Sequence, residues 1–195
     1  MRDFLFSETA AILGFDNIPS DKGLAIQAGK GLCENVLEPI QDVWGRIHIR
    51  SSYRSEQVNQ AGNDLGANCA SNKKNYAGHI WDRKERDTDN IGATACIVIP
   101  RYLDYYEKTG DWISLAWWIH HHISQYHSLY FFPKLCAFNI NWNENLKTEK
   151  TIKSYIKDIN TGTSKAILNN GKVSDFYKNM APEDRYAKCL EVLGE

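Results

Sequence analysis

The apolar positions of this chain change period along its length, and the changes mark out its elements. From Leu24 to Trp44, residues Leu24, Ala28, Leu32, Val36, Ile40 and Val43 recur at helical spacing, with Leu37 and Trp44 widening the stripe. That pattern predicts an amphipathic helix over 24–44. Pro39 lies inside it and predicts a kink or break, and Gly45 ends it. Ile47 and Ile49 then alternate with His48 and Arg50, which reads as a half-buried strand. A short helix over 55–61 follows. Residues 62–90 are rich in Asn, Asp, Gly and Lys and carry little periodicity. A loop of that length inside a compact domain is usually functional or mobile.

The stretch Ala93–Pro100, ATACIVIP, is apolar on both faces and predicts a central strand. A helix over 102–108 comes next, then Thr109-Gly110-Asp111 as a stop and a new cap. The following helix, 112–122, places Leu115, Trp118, Ile119 and His122 on one face. Residues 129–132 and 137–142 read as two strands around Pro133-Lys134, and 8–13 as a first short helix closed by Gly14. After Asn143 the chain becomes Lys-rich and punctuated by Gly, Asn and Ser, with one late helix at 182–193. The pattern therefore predicts an α+β fold. A small, mostly antiparallel sheet from about 47–52, 93–99, 128–132 and 137–142 is packed on one side by helices 24–44 and 112–122. Residues 1–145 form the domain and 146–195 an appendage.

Composition supports a real core without staples: 43% of the 195 residues are hydrophobic and 12% aromatic, including 6 Trp. The net charge of -1 gives no strong nucleic-acid signal. No apolar run approaches the 18 or so residues of a membrane span, and the N-terminus, with its early acids, is not a secretory signal. The five cysteines, Cys33, Cys69, Cys96, Cys136 and Cys189, are odd in number, widely spaced and free of any CxxC. Free thiols in a reducing compartment follow, so a cytoplasmic location is expected.

The segment VLEPIQDVWGRIHIRSSYRSEQVN runs helix, Gly turn, strand, then Ser-Tyr-Arg-Ser before a second helix. It resembles the D-alanyl-D-alanine carboxypeptidase and Hedgehog superfamily of zinc peptidases, whose pattern is roughly VLxPIRxxxGxxIxIxSGYRSxxxN, then SxHxxGxAxDI, a helix, and ExxxxxxWxHV. The resemblance spans about residues 24–142, and its first third departs mainly in Ser52, where the family prefers Gly. It implies that Arg54 contacts a substrate carboxylate, a task suited to a planar guanidinium. The competing expectation is that Arg54 pairs with a core acid and fixes the loop.

The family's middle motif fits in two registers. One places Asn75 at the histidine ligand, Gly78 at the glycine and Asp82 at the aspartate ligand. The other, which suits the strand and its closing Pro100 better, places Asp89, Gly92 and Cys96 there. The last motif puts Asn139 at the third ligand, and no carboxylate stands among residues 128–132 where the family keeps its glutamate. Zinc needs deprotonated S, N or O donors, an amide is a poor one, and water activation needs a base. As a conventional zinc peptidase the chain reads as inactive. No cofactor is expected, and zinc enters only if a ligand set has been rebuilt from Cys96, His79, Asp82 or Asp89 and one of the histidines at 120–122.

Within the long loop, Cys69, His79 and Asp82 are the residue types of a thiol nucleophile, its base and an orienting carboxylate. The plainer reading is an ordered loop held by Asn and Ser side chains bonding to backbone. On a helix, His120, His121 and His122 point about 100° apart, so no two share a face for a metal. The aromatic residues Trp112, Trp117, Trp118, Tyr102, Tyr105 and Tyr106 suit a stacking platform or, more plainly, core. Three functions remain open. The first is a diverged carboxypeptidase fold binding a small polar or anionic ligand through Arg50, Arg54, Asn68, Ser71, Trp81 and Asn139, with Cys69, His79 and Asp82 as candidate catalytic groups. The second is a metal-dependent amidase or peptidase with relocated ligands. The third is an interaction protein engaging a partner through helix 112–122 or the C-terminal tail.

Overall fold

The computed structural model describes residues 2–67, 69–146, 150–162 and 175–194. The chain begins with two short helices, α1 (Arg2–Leu5) and α2 (Glu8–Leu13). Then α3 (Lys22–Leu32), capped by the Asp21 carboxylate on Leu24 N at 2.9 Å, runs through Cys33–Leu37 into α4 (Glu38–Trp44). Pro39 was expected to kink or break this stretch. The helix does not break there; Cys33–Leu37 is a widened π-helical turn, with Glu38 N bonded to Cys33 O. The extra residue in that turn accommodates the proline ring one turn on, and the helical path continues.

Strand β1 (His48–Ser51) is followed by α5 (Glu56–Asp64), started by Ser55, whose hydroxyl accepts Val58 N. The loop after it holds one turn of helix, α6 (Asn72–Asn75). Next come β2 (Gly92–Val98), α7 (Pro100–Thr109), α8 (Ile113–His122), β3 (Ser128–Phe131), β4 (Phe138–Asn143) and β5 (Thr151–Ser154), and finally α9 (Asp175–Lys178) and α10 (Ala187–Leu193). The Asp111 carboxylate starts α8, accepting Ile113 N at 2.9 Å and Ser114 N at 3.0 Å.

The fold is α+β, with one five-stranded sheet in the order β1-β2-β4-β3-β5. Three pairings are antiparallel, but β3 and β5 run parallel, so the sheet is mixed rather than mostly antiparallel. The strand that changes its character, β5, lies in the stretch read from sequence as an appendage. Ile152 on it is fully buried, and Tyr177 and Cys189 further along join the main core. At those residues the C-terminal stretch is part of the body of the protein. The basic residues Lys147, Lys165 and Lys172 fall outside the described residues.

Strand alternation gives the sheet two unlike faces. Ala93, Ala95, Ile97, Leu129, Phe131, Phe138, Ile140 and Trp142 turn to the main core. There α3 lies across β2 and β4, and Trp112 packs on Phe131 at 5.2 Å between ring centres. A T-shaped Trp44–Trp118 contact at 5.3 Å joins α4 to α8. On the other face stand Thr94, Cys96, Ser128, Tyr130, Asn139, Asn141 and Lys153, with only a small apolar cluster of Cys96, Val98 and Ala137 near Phe132 and Leu135. That second face carries the loop after α5 and the hollows described next. Among the described residues no helix is long and apolar enough to cross a membrane.

Candidate functional site

The register between β1 and β2 slips, Ile49 facing Ile97 and Ser51 facing Cys96, so Arg50 is the extra residue of a bulge. Bulges re-aim side chains, and Arg50 reaches a cavity of about 270 Å³ that Arg54, Cys69, Cys96, Phe132 and Asn139 also line. The segment that carries Arg54 is pinned on both sides. Asn17 donates to Tyr53 O at 2.9 Å and accepts Ser55 N at 2.8 Å, and Arg54 N bonds to His79 O at 2.8 Å.

The Arg54 guanidinium donates through Nη1 to Cys69 Sγ at 3.0 Å and Asn59 Oδ1 at 3.3 Å. Among the described residues no carboxylate lies within ion-pair distance of it; Glu8, which shares the cavity, is not so placed. Burial lowers the Arg54 pKa and the neighbouring Cys69 and Cys96 raise it; an arginine remains cationic through such a change. The expectation that Arg54 pairs with a core acid is thus not met. Burial pushes the Cys96 thiol up to about 11 against the pull of Arg50 and Arg54, so it is neutral at pH 7.

A net of asparagines holds this arginine and the loop together. Asn59, fully buried on α5, donates to Ala70 O at 2.9 Å and Asn72 Oδ1 at 2.7 Å, and its oxygen also accepts Asn75 Nδ2 at 2.9 Å. Asn63 donates to Cys69 O at 2.6 Å, and Asn72 to Glu56 O at 3.0 Å. Asn59 and Asn72 were not among the site residues picked from sequence. The signal available was the helical step from Ser55 to Asn59, which puts that amide over the Arg54 side of the helix.

His79 is 4% exposed. Its Nδ1 lies 2.7 Å from Ser52 O, and since a carbonyl can only accept, Nδ1 carries the hydrogen and Nε2 the lone pair. Burial first and Arg54 second push its pKa down to about 3, so the ring is neutral. Among the described residues Nε2 has no partner in good hydrogen-bonding geometry, and it sits beside the Asn139 amide. Both residues line a second hollow of about 420 Å³, bounded by the loop from Lys74 to His79 and by Thr94, Ser128, Tyr130, Asn141 and Lys153.

The proposed Cys69–His79–Asp82 relay is not assembled. Asp82 turns the other way, accepting Ser20 N at 2.7 Å and facing the Tyr53 hydroxyl, whose pKa is raised by burial and by that carboxylate. His79 spends its N–H on Ser52, and the Cys69 sulfur is bound to Arg54. Trp81 belongs to the core and lines neither hollow: its Nε1 donates to Thr94 O at 3.2 Å and its ring meets Phe4 and Tyr53. Ser71 is exposed at the start of α6 and lines neither hollow, and Asn68 lies outside the described residues. Arg50, Arg54, Cys69 and Asn139 are brought together, and His79 adjoins them through Asn139.

Among the described residues no three His, Cys, Asp or Glu side chains are grouped to hold a metal ion. Asp89 is exposed on a turn, and the three histidines end α8 away from the cavity. His120 bonds the Tyr126 hydroxyl at 2.6 Å, His121 meets Trp117, and His122 stacks on Trp118 at 4.6 Å. Cys96 does stand directly across from Asn139 in the β2–β4 ladder. No known family, characterised protein or solved structure matches this chain.

Proposed function

We propose that the protein binds a small anionic ligand on the polar face of its sheet, in a cleft inherited from a D-alanyl-D-alanine carboxypeptidase-like ancestor. The observation that carries this reading is Arg54: a largely buried guanidinium, oriented by Asn59, with no carboxylate within ion-pair distance among the described residues, opening onto a cavity that Arg50 also faces. Holding an uncompensated cation away from bulk water costs free energy unless an anion returns to it. A bulge, a pinned loop and an asparagine net all converge on that one group, as expected of a preorganised binding site.

The ancestral scaffold is supported by the place of Cys96 and Asn139. The favoured register of the middle motif puts Cys96 at one zinc-ligand position and the last motif puts Asn139 at another, and the two are cross-strand neighbours beside Arg54. Binding is the reading rather than turnover, because the candidate thiol is bonded to the arginine and not to a base.

The test is calorimetric titration of the purified chain with acetate, succinate and inorganic phosphate, repeated with Arg54→Gln. At least one of these anions is expected to bind saturably to the wild type, and Arg54→Gln to weaken it about 10- to 100-fold, the worth of one or two charge-assisted hydrogen bonds. Equal affinity in the two proteins, or no saturable binding of any anion, would remove the proposal.

A further inference from the structure

The cavity at Arg54 and the larger groove are joined at Asn139, which lines both. Tyr130 stands directly opposite Asn139 in the β3–β4 ladder and lines the groove, while Phe132 lines the Arg54 cavity. Tyr155, just past β5, completes a trio. Its ring lies 4.7 Å from Tyr130 and 5.7 Å from Phe132, and Tyr130 stacks on Phe132 at 5.7 Å. Tyr155 is 51% exposed and packs on Tyr130, which lines the groove, and on Phe132, which lines the cavity, so an aromatic surface adjoins both hollows. Nothing in the Arg54 reading uses it.

Part of the polar lining is already spent. The Asn141 amide is spent, donating to Ala77 O, Ala93 O and Thr94 Oγ1, and the Asn75 amide is spent on Asn59 and Ala70. Also lining the groove are the Asn139 amide, beside the His79 Nε2 lone pair, the Ser128 and Thr151 hydroxyls and the ammonium groups of Lys74 and Lys153. Those groups suit a ligand rich in hydroxyls. An aromatic face beside them suits the flat C–H side of a ring. In the Arg54 cavity Arg50 and Arg54 are set against Glu8, which fits one acid group better than a polyphosphate, while the groove adds Lys74 and Lys153 against Glu85.

We infer that the ligand is a sugar acid, a pyranose carrying one carboxylate or phosphate. Its acid sits at Arg54 and its ring rests on Tyr130, Phe132 and Tyr155, with its hydroxyls toward Asn139, Ser128 and Lys153. This rests on the anion-binding reading and names the chemistry of its ligand. A purine or pyrimidine ring would stack on the same trio, but the groove offers it hydroxyl and ammonium partners instead of an apolar slot.

The experiment titrates the full chain with glucuronate, galacturonate and glucose 6-phosphate, and with acetate, inorganic phosphate, glucose and AMP as controls, by calorimetry and saturation-transfer NMR. At least one sugar acid is expected to bind ten times tighter than acetate, phosphate, glucose or AMP. Tyr155→Ala, at an exposed position, is expected to weaken that sugar acid fivefold or more and to leave acetate and phosphate unchanged; Arg54→Gln should weaken all of the acids. If no sugar acid exceeds acetate or phosphate, the inference fails while the anion site stands. If AMP binds tightest, or if Tyr155→Ala leaves the sugar acid unaffected, the inference also fails. If glucose matches the sugar acids, or Arg54→Gln changes nothing, the anion site itself fails.

Discussion

Arg54 is held in place by Asn59, whose side-chain oxygen takes its Nη1 at 3.3 Å while taking Asn75 at 2.9 Å, and whose amide ties down Ala70 and Asn72. One buried amide thus serves both the arginine and the loop over it. Asn59→Ala would strand Asn72 Oδ1 and leave Ala70 O and Asn75 Nδ2 with their 3.2 Å bond to each other. Unsatisfied buried groups cost about 1–3 kcal/mol each, partly relieved by water. The expected loss is roughly 2–3 kcal/mol in denaturant unfolding, together with faster proteolysis between residues 66 and 74. Unchanged cleavage would show that the loop is held by something else.

His79 makes stability depend on pH. Its folded pKa of about 3 lies below its unfolded value near 6.5, so as pH falls the unfolded chain takes up the proton first. The stability this neutral ring supplies is complete above about pH 6.5 and drains away as pH drops toward 3. At pH 5 the loss is about 2 kcal/mol. Unfolding measured at pH 7 and pH 5 should show a smaller difference in His79→Gln than in wild type, and an equal difference would contradict the assignment.

Asp82 serves structure rather than catalysis. Its carboxylate takes Ser20 N at 2.7 Å and faces Tyr53, tying the start of α3 to the Arg54 segment. Asp82→Ala should cost roughly 1–3 kcal/mol, since the Ser20 N–H loses its partner in the interior. Tyr53→Phe combined with it should add less than its separate cost, because the two groups face each other. Additive losses would show that they act independently.

Gly31 lies under Trp142 so closely that an added methyl would fall 2.3 Å from its ring, and at Gly29 it would fall 2.8 Å from Trp81. Both indoles are packed, so neither can step aside cheaply. Gly31→Ala should destabilise by about 1–3 kcal/mol, as overpacking does, although alanine is the better helix former. A stabilised Gly31→Ala would mean that α3 shifts freely on the sheet.

Much of the fold could be read from periodicity, because the relevant segments bury one face or two. ATACIVIP is buried at every position of β2, and the stripe from Leu24 to Trp44 is the α3–α4 rod. The strand at Thr151 was missed because four residues with one buried apolar side chain, Ile152, leave almost no periodic trace. At the site, Arg54, Arg50 and Asn139 were legible through a resemblance and through strand alternation. The asparagine net was not, since hydrogen-bonded amides have no period and their meaning depends on which loop comes back over them. The same limit defeated the Cys69–His79–Asp82 grouping: residue types within 14 positions of one another turned out to face three different directions.

The parallel pairing of β5 with β3 also bears on how the chain can be shortened. Cutting at residue 146, a natural choice from composition alone, would turn β3 into a free edge. The backbone groups of Ser128–Phe131 that now meet Thr151–Ser154 would be open to the strands of other molecules. The core beside Leu129 and Phe131 would lose Ile152 at the same time. A shortened chain of that kind is expected to self-associate through β3 rather than to remain a smaller version of the same protein.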